Sequence, residues 1–221
     1  DAQGKRYRFG NQPDIALWNL IQLGNALYPL IEDIPAMQNI LDQFSKDYDS
    51  QYHQMMQNKL GLESLNDEPL LADLHSNLNA SETDMTLFFR NLGNIEKTDT
   101  AEKALLKIEN AFYKPEEIIE SNRENWLKWF SLYLEKINTE NATDDKRKTA
   151  MNAINPKYVF RNYMAQLAIE AAEKEDYSLI QELYILLKNP YSEQPENEKW
   201  FAKRPEWARN RIGSSMLSCS S

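Results

Sequence analysis

Apolar residues recur every three or four positions along most of the chain, and that spacing predicts a ladder of amphipathic helices. After Pro13 the positions Leu17, Leu20, Ile21, Gly24, Leu27, Tyr28 and Ile31 form one stripe, widened by Trp18. Asp14 is placed to cap this helix, and Pro29 is expected to end or kink it near Leu27 or Tyr28. A second helix is predicted over 35–60, with Met37, Ile40, Leu41, Phe44, Tyr48, Tyr52 and Met55 on one side and Gly61 as its stop. Shorter helices are expected over 68–78, 83–92 and 99–112.

The segment 121–138 opens with Ser121 and Glu124 in capping-box spacing. Trp126, Trp129, Phe130, Tyr133, Leu134 and Ile137 then give it a broad aromatic face. That face could be a ligand platform, but at helical spacing it reads as core. Further helices are expected over 144–153, 158–174 and 177–188, followed by an irregular connector from Asn189 to Arg204 and a last turn after Pro205. No internal repeat and no linker between domains is evident.

Composition narrows the reading. The 221 residues are 42% hydrophobic and 27% charged, the proportions of a soluble globular protein. Only six glycines, with no Asn-Gly or Asp-Gly pair, favour an all-α fold. A net charge of −9 argues against nucleic acid as a partner. Lys5, Arg6 and Arg8 near the start, and Lys203, Arg204, Arg209 and Arg211 near the end, are local basic clusters that read as solvated charge. No apolar run suits a membrane span, and the start is no signal peptide. The first residue is not Met, so the chain is expected to begin within a longer one.

Candidate chemistry is sparse. His53 and His75 lack metal-ligand spacing, and there is no nucleophile elbow, P-loop or dinucleotide fingerprint. The only cysteine, Cys219, lies two residues from the end. A lone tail thiol has no internal disulfide partner: either it is inert or its partner lies outside these residues. Taken alone, the residues describe a helical domain.

Several stretches nevertheless resemble one family. They are "RYRFGNQPDIALWNL" (6–20), "FFRNL" (88–92), "INPKYVFRNYMAQLAIEAAEKED" (154–176), "NPY" (189–191), "PEWA" (205–208) and "SCSS" (218–221). Together they resemble the carboxyl-terminal part of selenoprotein O, the bacterial YdiU family of pseudokinase-like protein adenylyltransferases. The resemblance implies a protein-kinase-like fold that binds ATP with Mg or Mn and transfers AMP to Ser, Thr or Tyr hydroxyls of protein substrates. Its catalytic and metal-binding residues would all precede Asp1, so none is assigned here, and the chain alone is expected to be inactive. The implied division is 1–13 as the end of an activation segment, 14–188 as the helical part of the large lobe, and 189–221 as an irregular extension with a redox tail.

The resemblance also gives Cys219 a redox-control role, paired with a cysteine upstream of Asp1; exposed between serines, the thiol suits exchange. Arg6, Tyr7, Arg8, Asn11 and Gln12 are the candidates for ordering the activation segment. The implied partners are protein substrates and the missing amino-terminal catalytic region. The implied compartment is the cytoplasm in bacteria or the mitochondrion in eukaryotes. Two departures stand out: "QGKRYRFG" carries an extra residue around Lys5 and Arg6, and Glu175 stands where many members have Gly. The latter is expected to extend the preceding helix. The alternative from another class is a stand-alone, non-enzymatic helical interaction module.

Overall fold

A computed structural model describes residues 9–65 and 68–211. Among these the chain is mainly α-helical, with nine α-helices and short 3-10 turns, and its only β-type pairing is a single bridge between Thr83 and Phe112. The described residues fall into two compact units, one up to Met55 and one from Met56 onward.

The first unit is a helical hairpin of α1 (Gln12–Ile31) and most of α2 (Ile34–Leu60). Helix α1 starts earlier than the sequence suggests, with Asn11 at the cap position and Asp14 inside the first turn. It also runs through Pro29 to Ile31. Proline this close to the end removes only one intrahelical bond, and the next residue, Glu32, already leaves the helix in a left-handed conformation. Its backbone N–H closes the turn on the Tyr28 carbonyl at 2.8 Å. Asp33 then caps α2 by accepting from the Ala36 N–H at 3.0 Å.

The second unit is built around α6 (Glu120–Thr139). It is flanked by α3 (Glu68–Ala80) and α5 (Ala101–Ile108), while α4 (Met85–Leu92) packs on α5. Trp126, Trp129, Phe130 and Tyr133 are fully buried. The aromatic face is therefore core. Its polar atoms are all engaged: the Trp129 indole donates to the Leu70 carbonyl at 2.8 Å and the Tyr133 hydroxyl to the Leu60 carbonyl at 2.8 Å. Trp129 and Tyr133 stack at 5.2 Å. The predicted capping box does not form, because α6 begins at Glu120 with Ile119 at the cap and no side-chain capping bond. Thr100 and Thr143 cap α5 and α7 (Asp144–Ile154) instead.

A smaller core lies between α8 (Asn162–Ala172), α9 (Ser178–Lys188) and the segment that follows. Tyr158, Met164, Leu183, Leu186 and Ala208 are buried in it, with Trp200 and Phe201 packed alongside. Helix α8 starts later than the apolar spacing predicts, since Lys157 and Tyr158 direct their backbone N–H groups to the Pro190 carbonyl at 2.8 and 3.0 Å. Nor does Glu175 extend the helix. It sits at φ 63°, and the bonds Asp176 N–H to Ala171 O and Glu175 N–H to Ala172 O close a Schellman turn around it. Gly61 ends α2 in the same way at φ 67°, and a Cβ there would lie 2.5 Å from the Met151 sulfur.

These two turns give opposite outcomes. Glu175→Gly relieves a left-handed conformation and is expected to stabilise the protein by about 0.5–1 kcal/mol. Gly61→Ala adds both backbone strain and a clash, and is expected to cost about 2 kcal/mol. Urea unfolding of the two variants checks the signs; a neutral Gly61→Ala would contradict the packing described here.

Candidate functional site

The second unit carries a network of buried charge where the short motifs of the sequence meet. It starts at the amino end of α4. Asp84 caps that helix by accepting from the Leu87 N–H at 3.1 Å. The same carboxylate is gripped by both terminal nitrogens of Arg161, one of them at 2.9 Å, and accepts from the Tyr113 hydroxyl at 3.2 Å. Nearly two turns further along, Arg90 is only 5% exposed. Its guanidinium donates to the carbonyls of Asn152 and Asn155 at 2.9 Å, of Tyr191 at 3.1 Å, and to the Glu193 carboxylate at 2.7 Å. Asn155 in turn exchanges hydrogen bonds with Lys59 at the end of α2, at 2.9 and 2.8 Å. Lys59 lies over the Phe89 ring at 4.3 Å.

The segment 189–211 is held across the smaller core by further ion pairs. Lys157, itself buried, reaches Glu193 at 2.9 Å and Glu198 at 2.6 Å. The Tyr158 hydroxyl donates to the Glu193 carbonyl at 2.8 Å. Glu82 bridges Arg204 and Arg209 at 3.0 and 2.9 Å, and Arg211 pairs with Glu170. Three arginines of the carboxyl-terminal basic cluster thus make ion pairs at the surface that fasten the chain to itself. Hydrogen bonding from Lys157, helped by Arg90 against partial burial, holds Glu193 below the usual carboxylate range. Hydrogen bonds from Lys199 and Trp200 do the same for Glu182.

A second buried arginine, Arg147, donates to the Tyr133 hydroxyl at 3.2 Å and to the Ile95 carbonyl, and pairs with Asp144 at 3.1 Å. Burial pushes the Tyr133 phenol up to about 12, against the pull of Arg147, so it stays a neutral donor. Both terminal nitrogens of Arg147 are engaged and its buried Nε is left without a partner, an arrangement that suits a load on structure rather than proton transfer.

In the hairpin, α1 and α2 leave a cavity of about 410 Å³ lined by Leu17, Ile21, Tyr28, Ile34, Met37 and Leu41. Asn11 is half-buried at the start of α1 and makes no side-chain capping bond, and Gln12 beside it is exposed. Arg6, Tyr7, Arg8 and Cys219 lie outside the described residues. The His53 ring bonds the Asp49 carbonyl at 2.8 Å, and burial lowers the pKa of His75. Among the described residues no group of three or more His, Cys, Asp or Glu could hold a metal ion. No described helix is long and apolar enough to cross a membrane. Sequence reasoning did not single out Asp84, Arg90, Arg147 and Arg161. The available signal was the polar pair Arg90 and Asn91 set between apolar residues in "FFRNL".

An all-helical scaffold with its motifs gathered on buried charge is the class of structure seen here. The chain belongs to the family described as protein adenylyltransferase SelO, whose model matches residues 1–188. It is 56% identical to the protein nucleotidyltransferase YdiU of Flavobacterium johnsoniae, with the whole chain and 43% of that protein covered. The proteins of the same name from Aromatoleum aromaticum and Rhodopirellula baltica are 44% and 42% identical, again across the whole chain and 42% and 43% of theirs. The chain therefore spans less than half the length of these relatives.

Removing Arg90 leaves buried carbonyls without donors. Arg90→Ala is expected to cost about 3–5 kcal/mol in urea unfolding, and Arg90→Lys to recover little, because one ammonium cannot satisfy four acceptors in a planar fork. Glu193 and Glu182 have folded pKa values below their ordinary 4.5, so their pairs stabilise the fold above that value and lose effect as pH falls below it. Amide exchange over residues 193–200, corrected for intrinsic rates, should be flat above pH 4.5 and accelerate below it. An unchanged profile would mean that the ion pairs do not hold this segment.

Proposed function

We propose that this chain is the carboxyl-terminal helical region of a protein adenylyltransferase with a protein-kinase-like fold. In the complete enzyme a Ser, Thr or Tyr hydroxyl of a protein substrate attacks the α-phosphorus of ATP. The bond to the β-phosphate oxygen breaks, pyrophosphate leaves, and the hydroxyl proton passes to a base; Mg or Mn, held by residues outside this chain, would neutralise the phosphate charge. None of that machinery is assigned to residues 1–221. The supporting observation is the match of the whole chain to proteins named nucleotidyltransferases over less than half their length.

In this reading residues 1–13 complete the activation segment, with Arg6, Tyr7, Arg8, Asn11 and Gln12 ordering it. Residues 14–188 form the helical part of the large lobe, and 189–221 form the extension bearing Cys219. The polar network supplies what such a lobe needs, a rigid platform whose charges are neutralised internally. Cys219 is the redox switch: its thiolate joins a second cysteine of the longer polypeptide as an external oxidant takes up two electrons, and a thiol reductant reverses the step. The protein works in the bacterial cytoplasm.

The test is label transfer with the full-length parent. Label from α-phosphorus-labelled ATP should appear on protein, and label from the γ position should not. The 221-residue chain alone should transfer neither. Cys219→Ser should keep the reduced-state rate within about twofold and abolish the loss of rate on oxidation. Transfer of the γ-phosphoryl group, or full oxidant sensitivity in the Cys219→Ser enzyme, would overturn the respective part.

A further inference from the structure

Helix α9 has two apolar faces. Leu183 and Leu186 are buried in the smaller core, with Leu179 and Leu187 packed against it. On the other side Tyr177, at the cap position, and Ile180, Tyr184 and Ile185 are 57%, 43%, 61% and 61% exposed. With Gln181 and Lys188 they fill an arc of about 140°, wide enough for one neighbouring helix. A face meant for water carries charge, and this one holds only Lys188, whose ammonium lies 5.5 Å from the centre of the Tyr184 ring. The other charge of the helix, Glu182, is drawn away to Lys199 and Trp200 at 2.6 and 2.7 Å.

We infer that this face is a two-fold interface, which takes the α9 helix of a second copy of the protein antiparallel to its own. The charges at its two ends select that occupant. At the amino end Asp176 accepts from the Ser178 N–H at 2.9 Å, beside Tyr177, and Glu173 and Glu175 stand exposed in the same turn against Lys174 alone. At the carboxyl end the face closes on Lys188. An antiparallel pair lays the basic end of each helix on the acidic end of the other, whereas a parallel pair sets like charge on like. In the antiparallel register Tyr177 lies opposite Lys188 of the second copy, Ile180 opposite Ile185, and Gln181 opposite Tyr184. Apolar side chains then meet at the centre, and a cation meets an aromatic ring and a carboxylate at each end. The six side chains expose roughly 500 Å² per copy, about 1,000 Å² for the pair, which is the lower bound of a specific interface. The dimer is therefore a reversible one.

Ile180 and Ile185 are exposed, so a charge at either leaves the fold intact. The full-length parent, its Ile180→Lys and Ile185→Glu variants and the double variant are compared by sedimentation equilibrium from about 1 to 100 µM, with thermal unfolding as the check on folding. The parent should dimerise within that range. Each single substitution should weaken the dimer at least about tenfold, by setting a charge against an apolar side chain. The double variant sets the new cation of one copy against the new carboxylate of the other, and should return the dissociation constant to within about threefold of the parent's. A parent that stays monomeric throughout overturns the inference, since its α9 face is then open or covered by the rest of its own polypeptide. A dimer indifferent to Ile185→Glu overturns it as well, because another surface then makes the contact. Weakening in both single variants without recovery in the double overturns the antiparallel register.

Discussion

A guanidinium that leaves water needs acceptors for its donors, and the second unit is organised by meeting that demand at Arg90, whose two terminal nitrogens reach four acceptors. Its partners come from two places far apart in the chain: the end of α7, and Tyr191 and Glu193 just after α9. Meeting the demand fixes the path of the backbone at each. Asn155 offers its carbonyl to Arg90 and its side chain to Lys59, so the end of α2 is tied to the same point. The connection between α7 and α8 is extended because its N–H groups are drawn to Pro190, beside Tyr191. A neutral residue at Arg90 would leave these carbonyls without a donor and the segments without a common anchor.

The aromatic core and the charge network support each other. Phe88 and Phe89 bury one face of α4 against Trp126 and its neighbours, which carries Arg90 on the other face into the interior. Asp84 sets where that helix begins and at the same time holds Arg161 at the start of α8. The two cores of this unit are thus joined through one capped helix. Such an arrangement makes a stiff platform with little unpartnered chemistry, in keeping with a lobe that positions a reaction performed by other residues.

Much of the helical ladder was legible, because burying one face of a helix imposes a 3.6-residue period on the apolar positions. The stop at Gly61 and the core role of Trp126, Trp129 and Tyr133 follow from local chemistry alone. The failures share a cause. Pro29 and Ser121 were judged by local helix-end rules and Glu175 by helix propensity, and backbone closure and tertiary contacts set the helix ends instead. The buried arginines were invisible for a different reason: their acceptors are backbone carbonyls, which every residue possesses.

Residue order by itself therefore determined the secondary structure class, the aromatic stripe of α6, and the resemblance that the family match bears out. Those are properties of short windows, where spacing and side-chain type suffice. Only the tertiary structure decided that Asp84, Arg90 and Arg147 are interior, that Arg161 lies half-buried against Asp84, and that the carboxyl-terminal arginines fasten the chain to itself. Each of these depends on which distant groups come within hydrogen-bond or van der Waals reach, and that is a property of the packed chain rather than of any window within it.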